Sequence, residues 1–593
     1  MDGEAAEQVY LSVNTTQKMP RSTNHLYCGP SSNFAFLQLV YRTFAPVDSL
    51  SNMAPLRAAT DQGIDYFRQR EMFFGVRQDL GTSKGVDDSD LSPRLPLELA
   101  KLFLERFSLT VLHLVPFLKV EVMEKWLEQL YNDEAEEMAS DTKAVLLAVL
   151  ANGATLTEHV KWADTIYHRA KREMHVLEET VNNKAIQASL LLITSSGRAN
   201  LAYLELGQAC RKAYATGLHR DVEYTSPQPK GDATSERRTT FWALLFWERW
   251  VSFWLGRPTS AASDSISIPF PATSIFTLAL GELSNIIAKS AKYIYEEKHL
   301  SLMKLRLSLQ SVRHDLESFK QRMEPILGFA LDGSIDQENA NVQQFFMMNF
   351  LSHTWMTSFR PCLMVFNSMK ARKSFNNSSL FHAGQTPPSP ESDLFWLLEG
   401  CHCAFDSARK LIHYLFESLN RHVLLRGLSF TSACIESACL LLAYHAMKNS
   451  ELIPRVKKSL EEALGCVSHM TSKEQVDSVR YTVQRMLHKI QEARVFHEGK
   501  GRAVPSSPEI GYFGPHDQLG EELADAASDN GSAWENAASF LQTATDGPGF
   551  DDPSNDGIWA IDLDIFAPDL GDYFTLDEPD FLTGTADAAF QDL

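Results

Sequence analysis

Three short stretches of this chain hold residue types able to do chemistry. Cys401, His402 and Cys403 stand in a row, and thiolates and imidazoles are the usual donors to zinc. On a helix, however, successive side chains point about 100° apart, so three neighbours cannot converge on one tetrahedral ion. No Cys-x-x-Cys occurs anywhere to complete such a site. His219-Arg220-Asp221 has the order of a phosphoryl-transfer catalytic loop. The Gly-rich phosphate loop, strand-borne Lys and Asp-Phe-Gly that such a loop requires are absent from the sequence. Gly29-Pro30-Ser31-Ser32 places serines in a turn but lacks the Gly-x-Ser-x-Gly of a strained nucleophile elbow. Neither a Walker loop nor a Gly-x-Gly-x-x-Gly is found. The expectation is a chain without catalytic, cofactor-binding or metal-binding residues, and no enzyme.

The elements around these residues read as helices. From Leu97 onward apolar residues recur every three or four positions, as in "LELAKLFLERFSLTVLHLVPFL", the spacing of a helix with one buried face. "KAIQASLLLITSSG" and "LAYLELGQACRKAYATG" read as a helix–turn–helix pair in which Gly217 suits a left-handed C-terminal cap. After a polar loop, Thr234 and Ser235 offer a helix start. The next helix, "FWALLFWERWVSFWLGRP", is apolar nearly all round and is stopped by Arg257 and Pro258. Its unbroken apolar run, Phe241 to Trp247, is far shorter than the roughly 20 residues of a membrane span. Glu248 and Arg249 would then lie near mid-bilayer at a cost of several kcal/mol. The segment therefore reads as a core helix, and no membrane partner is expected. No two-residue alternation long enough for a sheet appears, and the predicted fold class is all-α.

Three regions follow. Residues 1–94 form an N-terminal segment ending in the Gly-, Ser- and Asp-rich linker 79–96, residues 95–500 a multi-helix regulatory domain, and residues 501–593 a tail. The net charge of −20 belongs to that tail: 20 of the 75 acidic residues lie there, against one of the 55 basic ones, Arg502. The body is thus close to neutral, without the electrostatic footprint of a nucleic-acid binder. The short basic run Lys370–Lys373 is a weak import signal or a solvated patch. In the tail, Trp559, Phe566, Tyr573, Phe574 and Phe581 are set among Asp and Glu. Such interleaving cannot bury a core alone and is the composition of a disordered segment that folds onto a partner. The eight cysteines are scattered through apolar runs, which reads as reduced thiols.

Several landmarks now fall in a recognisable order. "YCGPSSNFAFL" (Tyr27 to Leu37), "LPLELAKLFLERFSLTVLHLVPFL", "GQACRKAYATGLHRD", "SERRTTFW", "LGRPTSAASDSISIPFP" and "FRPCL" (Phe359 to Leu363) together resemble the fungal-specific transcription factors. The likeness is to the middle homology region of zinc-cluster regulators of the xylanolytic-activator type. The resemblance implies a nuclear regulator of RNA polymerase II transcription, acting on carbohydrate or secondary-metabolite genes. Its partners would be the transcription machinery or a coactivator, reached through the acidic tail. It also implies scaffold roles: Gly217 closes one helix, Arg237 and Arg238 open the next and pair with Asp221 or Asp264, and Gly256, Arg257 and Pro258 turn the chain. The family usually begins with a binuclear zinc cluster whose helix enters the DNA major groove. Here only Cys28 precedes Cys210, so no zinc-binding or DNA-contacting residue carries over. Expected, then, is no cofactor in this chain and DNA reached indirectly or through a missing N-terminal module. A second reading is a non-DNA-binding, effector-sensing or interfering subunit that pairs with complete relatives. No sustained heptad is evident, which leaves homo- or heterodimerisation open.

Overall fold

The computed structural model describes residues 15–18, 25–37, 95–132, 137–196, 198–221, 231–261, 265–272, 274–296, 301–335, 341–376 and 395–500. Side chains are described in these ranges except for 15–18, 25–26, 195–196, 231–232, 370–376, 450, 474 and 492–500. The acidic tail with its five aromatic candidates, the linker before Leu95 and Asp264 lie outside the described residues, as do the side chains of Lys370–Lys373. All described residues belong to one unit, Met1–Lys500.

That unit is helical, as the spacing predicts. Its helices are α1 (Leu97–Ser108), α2 (Val120–Tyr131), α3 (Ser140–Ala154), α4 (Val160–Val176), α5 (Asn183–Ser196), α6 (Ala199–Ala215) and α7 (Gly231–Leu255). They continue with α8 (Ile275–Ser290), α9 (Leu302–Leu327), α10 (Val342–Asn376), α11 (Phe395–Arg421), α12 (Thr431–Lys448), α13 (Ile453–His469) and α14 (Glu474–Lys500). One pair of short antiparallel strands, β1 (Thr15–Lys18) and β2 (His25–Cys28), was not anticipated. Four residues per strand are too few to leave a readable alternation.

Two kinds of helix build the core. The periphery is amphipathic: α9 buries Leu305, Leu309, Val312, Leu316, Phe319 and Met323, one stripe at three- and four-residue spacing. Its ends follow local rules. The Ser301 hydroxyl accepts the Lys304 N–H at 3.2 Å, and Gly328 closes the last turn at φ 76°. By contrast α3, α7 and α12 are buried almost all round. Close approach makes this possible: a Cβ on Gly153 of α3 would lie 1.8 Å from the Phe103 carbonyl oxygen of α1. Helix α3 packs on α1, α4 and α5, and α10 on α11 and α12, while α7 joins the two groups through α6 and α8.

Two boundaries differ from the sequence reading. Helix α7 begins at Gly231, so Thr234 and Ser235 lie in its first turn rather than ahead of it. The last proline before it is Pro229, and from there to the end of the helix no residue lacks the N–H that helical bonds require. The stretch from Leu97 to Leu118 is one helix ending at Ser108 and then a 3₁₀ turn at Val111–His113.

Candidate functional site: a junction of distant segments

Glu248 and Arg249 pose the first question about α7, because both are fully buried. Unpaired buried charge is costly, and each side chain has partners. Glu248 accepts the Ser260 N–H, the Thr259 hydroxyl and, at 3.3 Å, the Ser252 hydroxyl. Desolvation raises its carboxyl pKa, and the bonds from Thr259 and Ser260 oppose that shift. The Arg249 guanidinium donates to Asn285 Oδ1 at 2.6 Å and Ser284 Oγ at 3.2 Å on α8. These two residues fasten α7 to its neighbours, as suits a core helix.

The six landmark residues gather at the two ends of α7, about 27 Å apart by helical rise from residue 238 to 256. At the first end, α6 closes on Gly217, φ 69°. The Leu218 N–H reaches the Ala213 carbonyl at 2.9 Å and the Gly217 N–H reaches Tyr214 at 3.1 Å, the paired bonds of a Schellman turn. Arg238 of α7 holds Asp221 with contacts of 3.0 and 3.2 Å. Arg237 donates to the Thr216 carbonyl at 3.4 Å, a cation at a helix C-terminus where the dipole favours it. His219 of the His-Arg-Asp stretch lends its carbonyl to the Ser267 and Ile268 N–H groups, and Asp221 is the Arg238 partner. The stretch ties loops to helices.

At the second end, Gly256 closes α7 by the same paired bonds: Arg257 N–H to Ser252 at 2.9 Å and Gly256 N–H to Phe253 at 3.2 Å, with φ 65°. The stop is thus Gly256 itself, ahead of Arg257 and Pro258. Arg257 donates to the Tyr27 carbonyl at 3.1 Å and lies 5.0 Å over the Tyr203 ring. The Tyr203 hydroxyl donates to the Pro258 carbonyl at 3.0 Å. Gly29 lies directly against this turn, where its own Cβ would come within 1.8 Å of the Gly256 carbonyl oxygen.

Residues 29–36 continue as a strap that touches three helices. Ser31 donates its hydroxyl to the Phe253 carbonyl of α7 at 2.7 Å. The Pro30 carbonyl accepts from Arg360 of α10 at 2.9 Å, and that guanidinium lies 4.7 Å over Phe36 and 5.9 Å over Tyr295. Asn33 donates to Glu436 Oε2 at 3.2 Å and the Ala433 carbonyl at 3.5 Å, and accepts from Ser437 at 2.8 Å, all on α12. Ser32 caps the short helical turn at 33–37, accepting the Ala35 N–H at 3.1 Å. Burial raises the neighbouring Cys28 thiol to about 11, with Arg257 opposing, which leaves it inert at neutral pH. Sequence reasoning quoted three of the converging segments, "YCGPSSNF", "LGRP" and "FRPCL", but missed Asn33, Glu248 and Glu436. Charged and amide side chains inside helical runs carry no local sign of whether they face water or a partner.

Cys401, His402 and Cys403 diverge on α11: Cys401 is buried, with its thiol raised to about 12 by desolvation, while His402 is exposed. Among the described residues no group of three His, Cys, Asp or Glu side chains is placed to hold a metal ion, and no helix is long and apolar enough to cross a membrane.

Residues 101–366, from within α1 to within α10, match the family model of the fungal specific transcription factor domain. An uncharacterized transcriptional regulatory protein of Schizosaccharomyces pombe is 32% identical over 111 residues, which cover 19% of this chain and 14% of that protein. The match thus spans about a seventh of the relative's length. No solved structure matches. Over residues 101–366 the helical core is thus similar to the fungal specific transcription factor domain.

Proposed function

We propose that the chain regulates RNA polymerase II transcription in the nucleus, its helical body governing an activation segment in the acidic residues 501–593. The observation that carries this reading is the family match over 101–366, together with acidic residues and aromatics interleaved after Lys500. Trp559, Phe566, Tyr573, Phe574 and Phe581 are the contacts the tail would offer a coactivator, burying rings while carboxylates keep the segment soluble. DNA would be reached through a zinc-cluster module or through a partner chain, because the near-neutral body lacks the charge footprint of a nucleic-acid binder. Residues 29–36, α7, α10 and α12 would form the rigid unit on which such control depends.

Residues 501–593 fused to a foreign DNA-binding domain should activate a reporter, and replacing the five aromatics by Ala should remove most of that activity. Silence of both the tail and the whole chain in this assay would sink the activator reading.

A further inference from the structure

Helices α9, α10 and α11 enclose a groove of about 460 Å3. Met348, Leu351, Ser352 and Trp355 of α10 form its floor; recurring at i, i+3, i+4 and i+7, they share one face of that helix. Glu399, Asp406 and Lys410 of α11 line one wall, Arg313 and Lys320 of α9 the other, and Asp332 lies at one end. Most of these charges are already engaged. Arg313 reaches Glu399 at 3.2 Å and Glu317 of its own helix at 2.9 Å, and Lys320 lies 3.7 Å from Glu324. Asp332 accepts the Ser334 N–H at 2.8 Å. Its segment is tied down by the Gln344 amide, which donates to the Ala330 and Ser334 carbonyls at 2.9 and 3.0 Å. Asp406 and Lys410 are left over: among the described residues neither makes an ion pair or a hydrogen bond, and the Ser352 hydroxyl on the floor makes no hydrogen bond either.

We infer that this groove binds a short apolar peptide with free ends, a dipeptide in size. Its ammonium would meet Asp406 and its carboxylate Lys410, while its side chains lie on Met348, Leu351 and Trp355 and its peptide group reaches Ser352. The spacing agrees. Asp406 and Lys410 are four residues apart on one helix, which sets their Cβ atoms about 5–6 Å apart, and two residues of extended chain span about 7 Å at most. A ligand charged at one end only would leave the other groove charge unmatched. Size agrees as well: a cavity of roughly 150 Å3 accommodates benzene, so one of about 460 Å3 holds roughly 15–20 heavy atoms. A single amino acid would leave much of the floor bare. As an input to the regulator proposed above the groove rests on that reading; as a binding site it does not.

The test is a calorimetric titration of the full chain with the dipeptide Leu-Leu. With about 17 heavy atoms it should bind with a Kd on the order of 0.2 mM, and free leucine, about half that size, at least about tenfold more weakly. N-acetylation or C-terminal amidation of the dipeptide should each weaken binding about threefold, the usual size of one exposed ion pair. In Asp406→Asn acetylation should no longer matter, and in Lys410→Met amidation should not. Both side chains are exposed, so neither change disturbs the core. Ser407→Trp, on the α11 wall, should fill the groove and remove binding of every ligand. No saturation by about 5 mM dipeptide, leucine binding as tightly as Leu-Leu, or a capping loss that persists in its charge variant would overturn the inference. The first two comparisons need only the unaltered chain.

Discussion

Gly256 and Gly328 end their helices in the same left-handed conformation, with φ of 65° and 76°. Their surroundings have little in common. A Cβ on Gly328 would meet nothing within 4 Å, whereas one on Gly256 would lie 2.5 Å from the Gly29 carbonyl carbon. Gly328 serves only its own helix. Gly256 also lets two backbones from distant parts of the chain touch, so that α7 ends where the strap begins its path across α10 and α12. Conformational need and close approach are separate demands on glycine, and only their coincidence marks a junction.

Substitution measures the difference. Gly256→Ala should bear both penalties, left-handed strain and a backbone clash, and lower stability by about 3–5 kcal/mol in urea unfolding. Gly29→Ala attacks the same contact from the other side. The double variant should therefore lose clearly less than the sum of the two, and simple additivity would show that the two glycines do not share one contact. Next in size is Arg360→Ala, which removes the bond to the Pro30 carbonyl and two ring contacts of a buried guanidinium. It should cost about 2–3 kcal/mol, and Arg360→Lys should recover little, since an ammonium lacks the planar fork that reaches a carbonyl and stacks on rings. Equal stability of the Lys variant and the parent would mean that charge alone matters there. Smallest is Gly328→Ala, expected near about 1 kcal/mol from strain alone. A loss as large as that of Gly256→Ala would erase the contrast between the two turns.

Much of the fold was legible. The helical stripe of α9 follows from apolar spacing, because an amphipathic surface helix states its buried face in its own sequence; its Ser301 cap and closing Gly328 were seen only in the structure. The Gly217 turn was readable for the same local reason, as was the core placement of α7 from its excess of aromatics. The short β1–β2 pair was not, and neither was the exact start of α7. The candidate site was legible only in pieces. "YCGPSSNF", "LGRP" and "FRPCL" could be picked out, yet nothing in them says that Gly29 lies against Gly256 or that Arg360 reaches Pro30. The match to the family covers 101–366, while the strap and α12 lie on either side of it and complete the same core.

By itself the sequence determined helix identities, the left-handed stop at Gly217, the near-neutral body and the acidic tail, because each depends on neighbours a few residues away or on composition alone. Tertiary structure decided which partners satisfy Glu248, Arg249, Asn33 and Glu436. Those outcomes depend on groups tens to hundreds of residues distant. For a buried polar atom, its free energy is set by the acceptor or donor that packing brings within about 3 Å.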